Sequence, residues 1–265
     1  MGSTENLVER QDDGAVTTLT LSNPSKLNAL SRAMIGALTA TLDTLAEDAD
    51  QRVIVIKGAG KAFCAGHDLR ELSEARQNED GGAEALKALF DACAAMMVRL
   101  GHLPQPVIAQ VHGIATAAGC QLAASCDMVV AAEDARFGVN GVNIGLFCST
   151  PMVALTRAIP RKKAFEMLTT GDFISASEAE HLGLVNHVVA PEALEAQTRE
   201  LAAKVAGKLG AAVRIGKAAF YEQLTRPLED AYNYTGNVIV QNMMREDTSE
   251  GVRAFLEKRP PDWDQ

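Results

Sequence analysis

The chain has 265 residues, 47% hydrophobic and 22% charged, the balance of a folded protein whose core needs no covalent staples. Its formal net charge of −9 argues against nucleic acid as a main partner, because such binders need a basic face. With 21 glycines and 5% aromatics, the interior is filled by Ala, Val, Leu and Ile, so backbones can approach closely.

Residues 1–13 are polar and acidic, which fits neither a signal peptide nor an Arg-rich transit peptide. A strand is expected at 15–21, then a turn through Asn23, Pro24 and Ser25. Ser31 caps a helix whose apolar residues Met34, Ile35, Leu38, Leu42 and Leu45 recur at helical spacing. The run Val53-Ile54-Val55-Ile56 predicts a strand buried on both faces. A Gly/Ala loop follows over 58–69, and the charged segment 70–82, with Gly81 and Gly82, is expected to be a mobile loop. A helix over 83–100 is stopped by Pro104 and Pro106. Strands are expected at 107–111 and 128–131, with a small-residue helix over 117–126 between them.

Beyond position 150, helices are expected at 151–158 and 162–169, and a capping box at 175–178 starts another that Gly183 ends. A last strand falls at 185–189, and only helices run from Pro191 to about 258. The recurring strand–helix–strand order predicts an α/β protein. The division is an α/β core over 1–200 and a helical region over 201–265 packed with it, since no linker separates them.

The most apolar stretch, 107–132, is broken by Gln110, His112, Gln121 and Asp127, so no membrane span is expected. The five cysteines, at 64, 93, 120, 126 and 148, are odd in number and form no C-x-x-C. That favours a reducing compartment, and the expected location is cytoplasmic. The five histidines lack H-E-x-x-H spacing, so no metal site is expected.

The common nucleotide and hydrolase motifs fail. Phe63 stands where a dinucleotide fingerprint needs its third glycine, Gly60-Lys61-Ala62 is no phosphate loop, and G-x-S-x-G is absent. Two glycine-rich segments remain, 62–69 and 112–121, each following a buried strand. Side by side, two such turns can aim two backbone N–H groups at one oxygen, although tight strand-to-helix turns also use glycine simply for packing.

These segments, with Asn23-Pro-Ser-Lys-Leu-Asn-Ala-Leu30, 106–127, 168–176, 180–186 and 254–259, resemble the crotonase (enoyl-CoA hydratase/isomerase) superfamily along nearly the whole chain. A closer likeness, to the enoyl-CoA hydratase domain-containing protein 3 group, rests on Ala65-Gly-His-Asp68, 114–121 and 141–151. The resemblance implies a spiral of β-β-α turns with a helical C-terminal part that builds a homotrimer or a dimer of trimers. It implies an acyl-CoA thioester as ligand, coenzyme A being part of the substrate rather than a permanently bound cofactor. It places the thioester oxygen between the amides of His67 and Ala118. It sets Lys26, Leu27, Ala29, Ala65, His67, Asp68, Leu69, Phe255 and Lys258 around CoA.

The chain departs from its family where a hydratase carries two glutamates. One position is Gln121; the other falls on Gly141, beside Asn140. No Asp or Glu occurs from 135 to 165, so a shifted alignment restores no carboxylate. Ser149, with Cys148 and Thr150, is the remaining candidate in the acyl-pocket segment, and a neutral hydroxyl is a poor base. Three readings stay open: a hydratase-family enzyme stabilising a thioester enolate, another thioester reaction such as decarboxylation on the same site, or a protein that only binds CoA thioesters.

Overall fold

The computed structural model describes residues 6–263, so the first five residues of the polar N-terminal stretch lie outside it. Antiparallel β1 (Val8–Asp13) and β2 (Val16–Leu21) open the chain, followed by α1 (Arg32–Ala46) and β3 (Val53–Gly58). Next come α2 (Leu69–Ala75), α3 (Ala83–His102), β4 (Val107–Val111), β5 (Ile114–Thr116), α4 (Ala118–Ser125), β6 (Met128–Ala132) and β7 (Arg136–Gly138). Helices α5 (Pro151–Ala158) and α6 (Arg161–Thr170), β8 (Phe173–Ser175), α7 (Ala176–Leu182) and β9 (His187–Val189) complete the α/β part. Four helices follow: α8 (Leu194–Ala206), α9 (Gly210–Gln223), α10 (Leu228–Met243) and α11 (Glu246–Leu256).

The main sheet runs β1-β2-β3-β4-β6-β9 and is parallel from β2 onward. The second sheet runs β5-β7-β8. In β3 the side chains alternate between two cores. Ile54 and Ile56 face the larger one with α1 and α3, while Val53 and Val55 meet Ile108, Val130 and the α8 residues Leu194 and Ala202. Burial on both faces explains why this strand reads as an unbroken apolar run.

Ser31 caps α1 by accepting from the Met34 amide at 3.1 Å, and all five predicted apolar residues of that helix are buried. The expected mobile loop over 70–82 is corrected. Asp68 caps α2 by accepting from the Arg70 amide at 3.0 Å, Leu72 packs on the core, and Asp80 accepts from the Gly82 and Glu84 amides to start α3. The capping box at 175–178 is half formed. Ser175 accepts from the Glu178 amide, but the Glu178 carboxylate pairs with Lys163.

Helix α9 is fastened to the core by a buried cation. Lys217 donates to the carbonyls of Leu100 and Gln105 at 2.8 and 2.9 Å and meets Asp127 at 2.6 Å. Asp127 also accepts from the Val107 amide and the Tyr221 hydroxyl. Desolvation outweighs the attraction of Asp127 and lowers the Lys217 pKa.

Candidate active site

The site lies where the chain leaves the C-terminal ends of β3 and β4, which are neighbours in the sheet. The segment after β3 does not wander. Phe63 and Cys64 donate backbone hydrogen bonds to His112 and Ile114, and Thr116 donates back to Cys64. This short parallel ladder ties one glycine-rich turn to the other. A Cβ on Gly119 would meet the Cys64 backbone and side chain, and one on Gly66 would lie 3.0 Å from the Ala117 Cβ and 3.3 Å from the Ala118 amide nitrogen. Glycine at both positions is therefore the condition for the turns to touch.

Two amides emerge at this junction. Ala118 is the first residue of α4, so its N–H has no acceptor within the helix. Ala117 aims it from φ 49° and ψ −119°, a conformation costly for any residue with a Cβ. That backbone is pinned on both sides: Ala117 donates to the Gly138 carbonyl, and its own carbonyl accepts from Gln121. The second amide is that of His67, which follows Gly66 at φ 88°. Among the described residues, neither the His67 nor the Ala118 amide has a hydrogen-bond acceptor.

The His67 ring is anchored at Nδ1 by the Leu30 carbonyl at 3.1 Å and stands edge-on to Phe90, with ring centroids 5.2 Å apart. Its Nε2 is buried without a partner, and so is Oε1 of Gln121 one turn into α4. Burial lowers the His67 pKa, while the Leu30 carbonyl and Glu71 oppose that shift.

The structure brings Lys26, Leu27, Ala29, Ala65, Asp68 and Leu69 to the same mouth. Ala65 donates to the Leu27 carbonyl, and Leu30 to that of Gly66 at 2.7 Å. Lys26 is not a free cation: its ammonium lies 2.7 Å from the Asp68 carboxylate, which it holds below the usual carboxylate range. Leu69 is 55% exposed beside this pair. Phe255, in the last turn of α11, and Lys258 just beyond it are exposed. No hydrogen bond or ion pair among the described residues joins either to this mouth.

Asn28 escaped the sequence reading. It is fully buried at φ 54°, donates to the Ala59 and Ala62 carbonyls at 2.8 Å, and accepts from the Asn23 amide. The signal was present: Asn is among the few residues that adopt a left-handed backbone readily, and it stands in the middle of a turn-forming segment.

At the two positions where the sequence reading expected a hydratase's glutamates, the surroundings differ. Gln121 is buried, and its Oε1 has no hydrogen-bond partner among the described residues. Gly141 lies in a 3-10 turn (Asn140–Ile144), where a Cβ would collide with the Leu146 carbonyl and lie 2.9 Å from the Cys148 sulfur. Asn140 is engaged by the Thr116 hydroxyl at 2.7 Å. Burial pushes the Cys148 thiol above its ordinary value, and those of Cys64 and Cys120 up to about 12, so none is a ready thiolate. Ser149 is exposed, and its hydroxyl reaches only the Phe147 carbonyl, at 3.4 Å. Among the described residues, no group of three His, Cys, Asp or Glu side chains is placed to hold a metal ion.

A family profile described as enoyl-CoA hydratase/isomerase matches residues 11–265. Enoyl-CoA hydratase domain-containing protein 3, mitochondrial, of Mus musculus is 47% identical over 254 residues, covering 96% of this chain and 83% of the relative. The crystal structure of an enoyl-CoA hydratase from Mycobacterium smegmatis is 52% identical, with a TM-score of 0.93, covering 98% of this chain and 99% of that one. The human domain-containing protein 3 structure is 44% identical, also with a TM-score of 0.93, over 97% of this chain and all of that one. These likenesses bear out the expected fold, an α/β spiral with a helical C-terminal region. They correct the expected cytoplasmic location. Relatives at 42–47% identity from mouse, rat, frog, human and zebrafish are all named mitochondrial. The expectation rested on the odd cysteine count, the absence of C-x-x-C and the polar, acidic residues 1–13, and the names of these relatives overturn it.

Proposed function

The chain belongs to the enoyl-CoA hydratase/isomerase family, and on that premise we propose that it is an enzyme, a lyase by class, that binds an acyl-CoA thioester and stabilises its enolate between the amides of His67 and Ala118. The observation carrying this reading is the pair of abutting turns whose two amides lack acceptors, one of them aimed by the strained backbone of Ala117. Preorganised donors of this kind are worth about 10²–10³-fold each in rate.

In this reading Lys26, Leu27, Ala29, Ala65, Asp68 and Leu69 hold the adenine and pantetheine of CoA. Lys26 then shares its charge between Asp68 and the ligand's phosphates. Phe255 and Lys258 reach the CoA of a neighbouring subunit in a homotrimer or a dimer of trimers. Coenzyme A arrives as part of the substrate, and no resident cofactor is required.

Hydration of an enoyl thioester also needs a base for water and an acid for the α-carbon. Each such group contributes about 10²–10⁴-fold. Gln121 titrates at no useful pH, and Gly141 has no side chain. Hydration is therefore slow here. A second reading, decarboxylation, is motivated by the two acceptor-free amides standing beside positions without a carboxylate, one of which has no room for a side chain. Loss of CO₂ from an α-carboxylated thioester leaves its bonding pair in the enolate, and solvent then supplies the proton to the α-carbon, so no carboxylate base is needed.

The test is crotonyl-CoA hydration, measured beside a relative with both glutamates, together with calorimetric binding of butyryl-CoA and CO₂ release from malonyl-CoA and methylmalonyl-CoA. The expected result is butyryl-CoA binding with hydration at least ~100-fold below the relative. Absence of acyl-CoA binding would overturn the reading, and hydration at the relative's rate would overturn its account of the missing carboxylates.

A further inference from the structure

We propose that the Glu250–Arg259 ion pair is a clamp that positions Lys258, holding its backbone left-handed so that its ammonium meets the phosphates of CoA from a fixed stem. This rests on the reading that Lys258 reaches CoA.

Helix α11 ends in a Schellman arrangement. The Lys258 amide donates to the Phe255 carbonyl at 3.2 Å, and the Arg259 amide to that of Ala254 at 3.0 Å. The residue at this bend must be left-handed and is usually glycine. Here it is Lys258, at φ 57°. A residue with a Cβ stays in that conformation only where its surroundings over-determine it.

The residues after the bend do so. Arg259 sets Nη1 on Oε1 of Glu250 at 2.6 Å and Nη2 on Oε2 at 3.1 Å, while its Nε reaches Glu257 at 2.7 Å. Such a fork fixes direction as well as distance. Pro260 and Pro261 stiffen the next two residues. The Asp262 amide then donates to Glu250 at 3.0 Å, and the Trp263 indole to the Asp247 carbonyl at 3.1 Å. A Cβ on Gly251 would lie 3.4 Å from the indole nitrogen, so the ring rests against α11 itself. Residues 259–263 therefore fold back along the helix they have left, and Lys258 is the bend. Arg259, the Asp262 amide and Arg253 hold the Glu250 carboxyl far below the usual carboxylate range, which keeps the clamp charged at neutral pH.

Charge singles out the same residue. Arg245 pairs with Asp247, Arg253 with Glu250, and Arg259 with Glu250 and Glu257. Lys258 is exposed, and among the described residues no carboxylate pairs with its ammonium. A bend alone would be made with less strain by glycine. A lysine there puts an unpaired cation on a stem whose backbone is already ordered, which lowers the entropy lost when it meets an anion.

The experiment titrates the full chain with butyryl-CoA and with S-butyryl-pantetheine, which lacks the phosphates. The proteins are the native chain, Lys258→Ala, Arg259→Ala, Glu250→Gln and the Lys258→Ala/Arg259→Ala double variant, compared at the native mass by light scattering. Each single variant is expected to bind butyryl-CoA ~5- to 10-fold more weakly and butyryl-pantetheine within about twofold of the native protein. The double variant is expected to stay within about twofold of Lys258→Ala, because Arg259 acts only through Lys258. Trp263, the single tryptophan of the chain, reports the tail. Its emission is expected to move to the red in Arg259→Ala and Glu250→Gln and to stay native in Lys258→Ala. Additive losses in the double variant, native butyryl-CoA affinity or unmoved emission in both Arg259→Ala and Glu250→Gln, or equal losses for the two thioesters would overturn the clamp while the thioester site stands. Native affinity in Lys258→Ala would remove the Lys258 contact and the clamp with it. Failure of the native protein to bind butyryl-CoA would bring down the site as well.

Discussion

Gln121 and Gly141, which we propose stand where a hydratase carries glutamate, differ in that a carboxylate can be placed at only one of them. Glu is nearly isosteric with Gln, so Gln121→Glu is expected to fold. Burial would raise the new carboxyl's pKa toward the range useful for proton transfer. Crotonyl-CoA hydration should rise ~10-fold or more. Gly141→Glu must displace the Leu146 backbone and the Cys148 sulfur, and should cost about 2 kcal/mol or more in urea unfolding with no gain in rate. A Gly141→Glu protein as stable as the native one would show that the 146–148 segment yields, contrary to this argument. His67 carries a second prediction at this scale, in pH. Its folded pKa is depressed below the ordinary 6.5, so as pH falls the unfolded chain takes up the proton first. Its contribution is fully present above 6.5 and is lost as pH falls through the lower, folded pKa. The native protein should thus lose more stability than His67→Phe between pH 7.5 and 5.5. Parallel stability curves over that interval would refute the buried, neutral ring.

Lys217 shows what one buried side chain does for the arrangement of elements. It supplies donors to two carbonyls at the end of α3 and before β4, and its partner Asp127 closes on the Val107 amide and the Tyr221 hydroxyl. Lys217→Met keeps the stem and removes the charge, leaving Asp127 and both carbonyls short of a donor. A loss of about 3 kcal/mol is expected in chemical unfolding, and a loss below about 1 kcal/mol would show that water or a shift of α9 replaces the ammonium. No sequence pattern announced this clamp, because it joins residues 90 positions apart. What was legible was local. The Ser31 cap and the period of α1, the apolar run of β3, and the glycines of the two turns each leave a mark within a few residues. What was not legible depends on the assembled surface. Strand β1 has one buried residue in six and reads as a polar tail until β2 pairs with it. The three-residue strands β5, β7 and β8 are too short to show a period and exist because they meet one another. At the site, the glycines marked the two turns and the family resemblance pointed to their amides, whereas the anchoring of His67 by Leu30 and the filled space at Gly141 required coordinates.

At the scale of the molecule, the C-terminal helices carry an excess of apolar surface. Leu228 and Tyr232 at the start of α10, Met244 at its end, and Phe255 and Leu256 on α11 are each more than 70% exposed, and Ile239 and Val240 lie between them. An apolar face this extended is what a subunit interface looks like before its partner is added. The mass by light scattering should accordingly be that of three, or of twice three, 28.2 kDa chains. Introducing Ile239→Asp together with Met244→Asp should shift it to one chain, because each charge would have to be buried unpaired. The consequence reaches the site. Among the described residues no hydrogen bond or ion pair joins Phe255 or Lys258 to the mouth formed by Lys26 and Asp68, so the CoA contacts we propose for them depend on a neighbour. The monomeric double variant should therefore lose butyryl-CoA affinity by ~10-fold or more while its own turns, with the His67 and Ala118 amides, remain folded. Undiminished affinity in a verified monomer would assign CoA binding to the two glycine-rich turns and the Lys26 loop alone, and would leave the C-terminal helices an assembly role only.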